Sequence, residues 1–145
     1  MRCIAKAESE YDSDAKAEGP NGPAWGLFQM GTTHFHWCAS PACQGRFTDW
    51  KCNTEVAVAW LVSLCNSPHH LNRTPADLLP AYWGVCRGEN CKLFDCLKKL
   101  GVKKEDVLAM KCPKKGDNCP ACPKIRPQDV GPNRPREWAW SKCGW

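Results

Sequence analysis

Twelve cysteines in a chain of 145 residues limit what this sequence can become more than any other feature. Their number is even and they run from Cys3 to Cys143, a density near that of disulfide-stapled scaffolds. In a reducing cytosol such a set is a liability, so the expected compartment is secreted or periplasmic, with up to six bridges. The pairing is not readable from spacing, although each bridge is worth typically about 2–4 kcal/mol. The length supports one domain with a core, expected over 1–110, and a Cys-, Pro- and Lys-rich extension over 111–145 packed on it. Met1-Arg2-Cys3 leads straight into a helical pattern without a signal peptide, so a mature form with an added or retained Met is expected. The longest apolar run, 56–64, is too short to span a bilayer, and no membrane insertion is expected.

A carboxylate sits where an apolar side chain belongs. Read as a helix, 1–11 puts Ile4, Ala7, Glu8 and Tyr11 on one face, with Glu10 opposite as a solvated charge. A Glu held against apolar groups resists ionisation and can donate a proton near neutral pH. The competing reading is a rim Glu paired with a Lys or Arg. Downstream, Gly19-Pro20-Asn21-Gly22-Pro23 is a turn cluster, because Gly supplies positive φ and Pro fixes φ. Gly26-Leu27-Phe28-Gln29 follows. Gly26 suits a close backbone approach, either to a ligand or to the Glu8 helix. Gln29 carries donors and acceptors for an acetamido or hydroxyl group, or else braces its own loop.

The ordered set Glu8-Ser9, Gly26-Leu27-Phe28-Gln29 and Ala81-Tyr82 resembles the lysozyme-like superfamily, namely the lytic transglycosylases and goose-type lysozymes. The resemblance runs from about Ile4 to Gly84. It implies a mainly α, α+β lysozyme-like fold: a helical domain with a small loop or hairpin forming one cleft wall, disulfide-rich, with an irregular C-terminal strap. It also implies Glu8 as the catalytic general acid, and Ser9, Gly26, Gln29, Tyr82 and Trp83 as the substrate-binding set. Three departures stand out. Trp83 occupies the place where the family has Asn, and Gly84 comes one residue early. Goose-type enzymes carry an acid two residues after the Gln, where this chain has Gly31.

The rest of the chain reads as scaffold. Residues 32–50 look irregular, and His34-Phe35-His36 beside Cys38 and Cys43 invites a zinc reading, although disulfides compete for the thiols. Thr48 or Asp49 caps a helix with Cys52, Val56, Ala59, Trp60, Ser63 and Leu64 at helical spacing. Thr74-Pro75-Ala76-Asp77 begins another helix that Pro80 interrupts. Asn90 caps a further one, with Leu93, Leu97 and Leu100 on one face, Lys98 and Lys99 at its end, and Gly101 after it. On that helix Cys91 and Cys96 face different ways and should not pair with each other. A short helix is expected within 102–110. Cys112, Cys119, Cys122 and Cys143 form either a zinc site or, better suited to an oxidising compartment, a stapled strap.

Charge is uneven: six basic and eight acidic residues up to Cys86, then fourteen basic and seven acidic from Arg87 onward. The basic last third suits a polyanionic surface such as a bacterial envelope, and no nucleic-acid motif accompanies it. Eight Trp is high for the length, and indole faces stack well on sugar rings. These features give an expected monomeric enzyme, without cofactor or metal, that cuts the β-1,4 bond between N-acetylmuramic acid and N-acetylglucosamine in peptidoglycan. A goose-type hydrolase of peptidoglycan or chitin is one alternative. A non-catalytic, disulfide-rich wall-binding protein is another.

Overall fold

The computed structural model describes residues 1–19, 22–65 and 92–110. In chain order these form α1 (Arg2–Ser9), strands β1 (Lys16–Gly19), β2 (Gly22–Trp25) and β3 (Met30–Gly31), α2 (Thr32–Cys38), a 3-10 turn (Pro41–Cys43), α3 (Trp50–Cys65), α4 (Lys92–Lys99) and α5 (Lys104–Ala109). The fold thus combines helices with one small sheet. Its strands are antiparallel in the order β1-β2-β3, with Lys16 opposite Trp25, Gly19 opposite Gly22, and Trp25 opposite Met30. The expected hairpin is present. The expected helix starts at Thr74 and Asn90, and the Cys/Pro-rich extension, fall outside the described residues.

The first helix is shorter than its apolar spacing suggests. α1 stops at Ser9 because Glu10 and Tyr11 both take left-handed backbone conformations, with φ of 56° and 72°. The Glu10 and Tyr11 amides fold back onto the Lys6 and Ala5 carbonyls, which closes the helix end. Tyr11 therefore leaves the apolar stripe and is 45% exposed, whereas Ile4 is buried. Glu10 is exposed and ion-paired with Lys6, one turn back.

Residues 32–50 are not irregular throughout, as α2 and the 3-10 turn show. Gly31 lacks a capping side chain, but the His34 imidazole supplies an acceptor from within the helix, and the Gly31 N–H donates to His34 Nδ1 at 3.1 Å. Phe35 and Cys38 then fall on one face of α2 and are buried. A local side-chain acceptor and two buried residues three apart suffice for two turns of helix.

α3 is the centre of the core. Asp49 caps it, its Oδ1 accepting the Lys51 and Cys52 amides at 3.0 Å each. Cys52, Val56, Ala57, Ala59, Trp60 and Leu64 pack there with Ile4, Phe28, Met30 and Phe35. α1 is fastened to α4 by Cys3–Cys96, a bridge across 93 residues. In the chain-entropy account, closing so long a loop is worth about 4–5 kcal/mol. Cys43–Cys52 closes a much shorter loop ahead of α3, and Cys38 is also disulfide-bonded. Cys96 is thus not paired with Cys91, as the helical spacing requires. α4 ends before Gly101, whose φ is +72°, and α5 contributes the buried Val107. Leu97 packs against the core, but Leu100 lies beyond the helix and is 51% exposed, so the expected three-leucine face is broken. No described helix is long and apolar enough to cross a membrane.

Candidate functional site

The site is assembled by one turn. Residues 26–29 connect β2 to β3, and the polar groups that shape this turn are tied to named partners. The Gly26 amide donates to the Ala15 carbonyl at 2.8 Å. The Gln29 amide nitrogen donates to the same carbonyl at 3.3 Å and to the Gly26 carbonyl at 2.9 Å. Gln29 itself has φ of 49°, in the left-handed region, which a non-glycine residue holds only when its surroundings fix it. Both Gln29 amide protons therefore brace the loop, and its Oε1 is the atom left for any further contact.

α3 supports the turn from beneath through Asn53, a residue that the apolar spacing of that helix does not single out. Asn53 is fully buried. Its Nδ2 donates to the Trp25 carbonyl at 2.8 Å and the Phe47 carbonyl at 3.0 Å, while its Oδ1 accepts the Phe28 amide at 2.8 Å. Gly26 is required by the same arrangement. A Cβ at Gly26 would lie 2.6 Å from Asn53 Nδ2 and 3.0 Å from the Phe47 carbonyl oxygen, and Gly26 also has φ of +70°. The close approach expected of Gly26 is present, and the groups it approaches are the Asn53 amide and the Phe47 carbonyl. The available signal was a lone Asn on the face of Val56, Ala57 and Trp60.

Ser9 joins α1 to this turn. Its hydroxyl lies 3.0 Å from the Leu27 carbonyl oxygen and 3.2 Å from the Ala5 carbonyl oxygen, so its single proton is shared between them. The contact spans 18 residues of sequence and places the last turn of α1 against the Gly26–Gln29 segment. Glu8, one residue before Ser9, is partly buried on that last turn. Ser9 and Gln29 thus both donate to backbone carbonyls. Tyr82 and Trp83 lie outside the described residues.

Of the acids considered as a second carboxylate, Asp14 is exposed and Asp12, Glu18 and Asp49 are engaged in local contacts. Asp12 accepts the Asp14 amide at 2.9 Å in a local turn, at the surface. Glu18 is exposed on β1 and paired with Lys16 at 3.0 Å. Asp49 caps α3 and binds Arg46. The hydrogen bond from the Cys52 amide, then the Arg46 charge, hold its carboxyl below the usual value. Across α3, Glu55 Oε1 accepts the Ser40 amide at 2.7 Å and secures the loop after α2.

The zinc reading of residues 34–43 fails on its donors. Cys38 and Cys43 are disulfide-bonded, and His34 Nδ1 is the acceptor at the start of α2. A disulfide sulfur has no thiolate to offer a metal. His34 instead packs edge-on to Trp60 at 4.5 Å, and Trp37 stacks beside Trp60 at 6.3 Å. Trp25 lies over Phe47 at 5.4 Å, with the Lys16 ammonium 4.8 Å from its ring centre.

A groove of about 340 Å³ runs between α1 and α4, lined by residues that include Arg2, Lys6, Tyr11, Asp95 and Lys99. Lys6 is two residues from Glu8, hence on the opposite side of α1. The groove's charges are of both signs, and the Glu10 hydrogen bond raises the Lys6 pKa, so it presents no convergent acid or base. Compared with known proteins, the chain matches no family model, no curated protein and no solved structure.

Proposed function

We propose that this chain cleaves the β-1,4 bond between N-acetylmuramic acid and N-acetylglucosamine in peptidoglycan, on a mainly α, lysozyme-like scaffold working outside the cytosol as a monomer. The observation that carries the reading is the Ser9–Leu27 contact, which brings the glutamate-bearing end of α1 to the Gly26–Gln29 turn. The disulfides and the lack of a membrane-crossing helix among the described residues are compatible with such a setting.

Glu8 is the general acid. Its proton goes to the glycosidic oxygen as the C1–O bond breaks, and the leaving sugar departs with a free 4-hydroxyl. The muramyl 6-hydroxyl then closes on C1 and returns its proton to the Glu8 carboxylate, leaving a 1,6-anhydro end. This route needs one carboxyl group, whereas a hydrolase usually uses two. The structural duties of Asp12, Glu18 and Asp49 favour the one-carboxyl route. Gln29 and Ser9 hold the turn and helix in register, and Tyr82 and Trp83 contact the glycan.

The test is digestion of purified peptidoglycan by wild type and Glu8→Gln, with products identified by mass spectrometry. Loss of a general acid should lower turnover roughly 10²–10⁴-fold. Anhydro-muramyl ends identify the transglycosylase route, and reducing ends identify hydrolysis. Binding to the wall with no fragment released by wild type would refute the enzyme and leave a wall-binding protein.

A further inference from the structure

Among the large apolar residues described, Trp50 is the most exposed, at 57%. Its surroundings are unusually constrained for a surface residue. It lies inside the loop closed by Cys43–Cys52 and begins α3 directly after the Asp49 cap. Arg46 is bound to Asp49 at 2.5 Å, and the Trp50 carbonyl accepts the Thr54 hydroxyl at 2.7 Å. The loop is anchored inward by Phe47, which stacks on Trp25 and meets the buried Phe35 edge-on at 5.0 Å. Lys51 reaches over the Trp50 ring, its ammonium 5.5 Å from the ring centre.

A tightly held loop thus keeps one aromatic inside and presents another to solvent. Holding the backbone of the loop in this way lowers the entropy cost of using its exposed indole as a contact. The flanking groups select the contact. Arg46, Asp49 and Lys51 are charged, and the other large exposed apolar residues among those described, Met1, Tyr11, Leu100 and Met110, are outside this loop. A protein interface needs a broader apolar centre than one ring. A pyranose needs only one flat aromatic face for its axial C–H groups, with polar partners around it for its hydroxyls.

We propose that Trp50 is a second sugar-binding platform, which stacks a pyranose ring of the wall glycan and lies outside the set formed by Glu8 and the Gly26–Gln29 turn. Lys51, whose ammonium lies over the indole, and the Arg46–Asp49 pair of the same loop are the polar groups nearest to it in sequence. The proposal rests on the glycan reading above and gives that glycan a further point of attachment. Phe47 stacks on Trp25, which leads into the Gly26 turn, so the loop that carries Trp50 is in contact with the strand before that turn.

The test is co-sedimentation with insoluble peptidoglycan in the Glu8→Gln background, which is expected not to degrade its ligand. Trp50→Ala and Trp50→Gln should raise the apparent Kd roughly five- to tenfold, and Trp50→Phe should retain most of the affinity. The Asp49 cap, the disulfide and the Phe47 anchor do not involve the indole, so circular dichroism and melting should match the parent. Equal affinity in all four proteins overturns the platform. So does sedimentation velocity in which Trp50→Ala abolishes a dimer of the parent, because the ring would then cover a second copy. Residual cleavage by Glu8→Gln would remove the catalytic reading while leaving the binding comparison intact.

Discussion

Replacing Asn53 by Leu, which keeps the branching of the side chain but puts two bulkier methyl groups where the amide oxygen and nitrogen were, removes the polar contribution of the residue under the turn. The substitution removes three hydrogen bonds and leaves three groups without that partner: the Phe28 amide and the Trp25 and Phe47 carbonyls. A buried donor or acceptor that loses its partner costs about 1–3 kcal/mol. Assigning about 2 kcal/mol to the buried amide and about 1 kcal/mol to each carbonyl gives roughly 4 kcal/mol, a large part of the 5–15 kcal/mol that holds a typical domain. With a urea slope of about 2 kcal/mol/M, the unfolding midpoint should fall by about 2 M. Hydrogen exchange supplies the local readout, since the Phe28 amide should lose protection ahead of amides in the middle of α3. A midpoint shift below about 0.5 M with Phe28 still protected would refute the idea that Asn53 holds the turn. The partner experiment is a cycle of Asn53→Ala, which removes the amide altogether, with Gly26→Ala. Its Cβ collides with the Asn53 amide, so the two changes should be less damaging together than their separate costs imply, by about 1 kcal/mol or more.

Four further outcomes are expected. Cys3→Ser with Cys96→Ser should destabilise the chain by about 2–5 kcal/mol, read by denaturant unfolding under oxidising conditions. His34→Phe keeps a ring against Trp60 but deletes the acceptor for the Gly31 amide, so a loss of about 1 kcal/mol is expected by thermal melting. Asp49 has its folded pKa held below the ordinary 3.8, so its contribution is complete above that value and is lost as pH falls through the lower folded value. The melting temperature should drop on acidification below about pH 4, and Asp49→Asn should flatten that part of the profile. Ser9→Ala should leave α1 in place through Cys3–Cys96 yet loosen its last turn, which hydrogen exchange at Glu10 would detect.

Elements with local signals were legible in the sequence. The turn cluster around Gly22 forms the β1–β2 reversal, Asp49 caps α3, and Gly101 ends α4 with a positive φ. Elements whose causes are not local, or that use atypical residues, were not. α2 starts from a glycine, with a histidine ring as its acceptor, a pairing that propensity alone does not suggest. α1 ends early at Glu10 and Tyr11, neither of which is a usual left-handed residue. At the site, Glu8 and the Gly26–Gln29 segment were visible as residues, but the means that join them were not. Ser9 reaches 18 residues ahead, and Asn53 reaches back 25 to Phe28 and 28 to Trp25. No periodicity encodes such partners, because they depend on two elements already being packed.

The bridge from Cys3 to Cys96 ties the readiness of the glutamate helix to the redox history of the molecule. A thiol form must hold that helix by side-chain packing alone, and the ring that fixes it forms only after residues far apart along the chain have met. Such long-range meetings are slow compared with helix or hairpin formation. A cell making this protein would therefore carry it in its weakest state until the two thiols are oxidised.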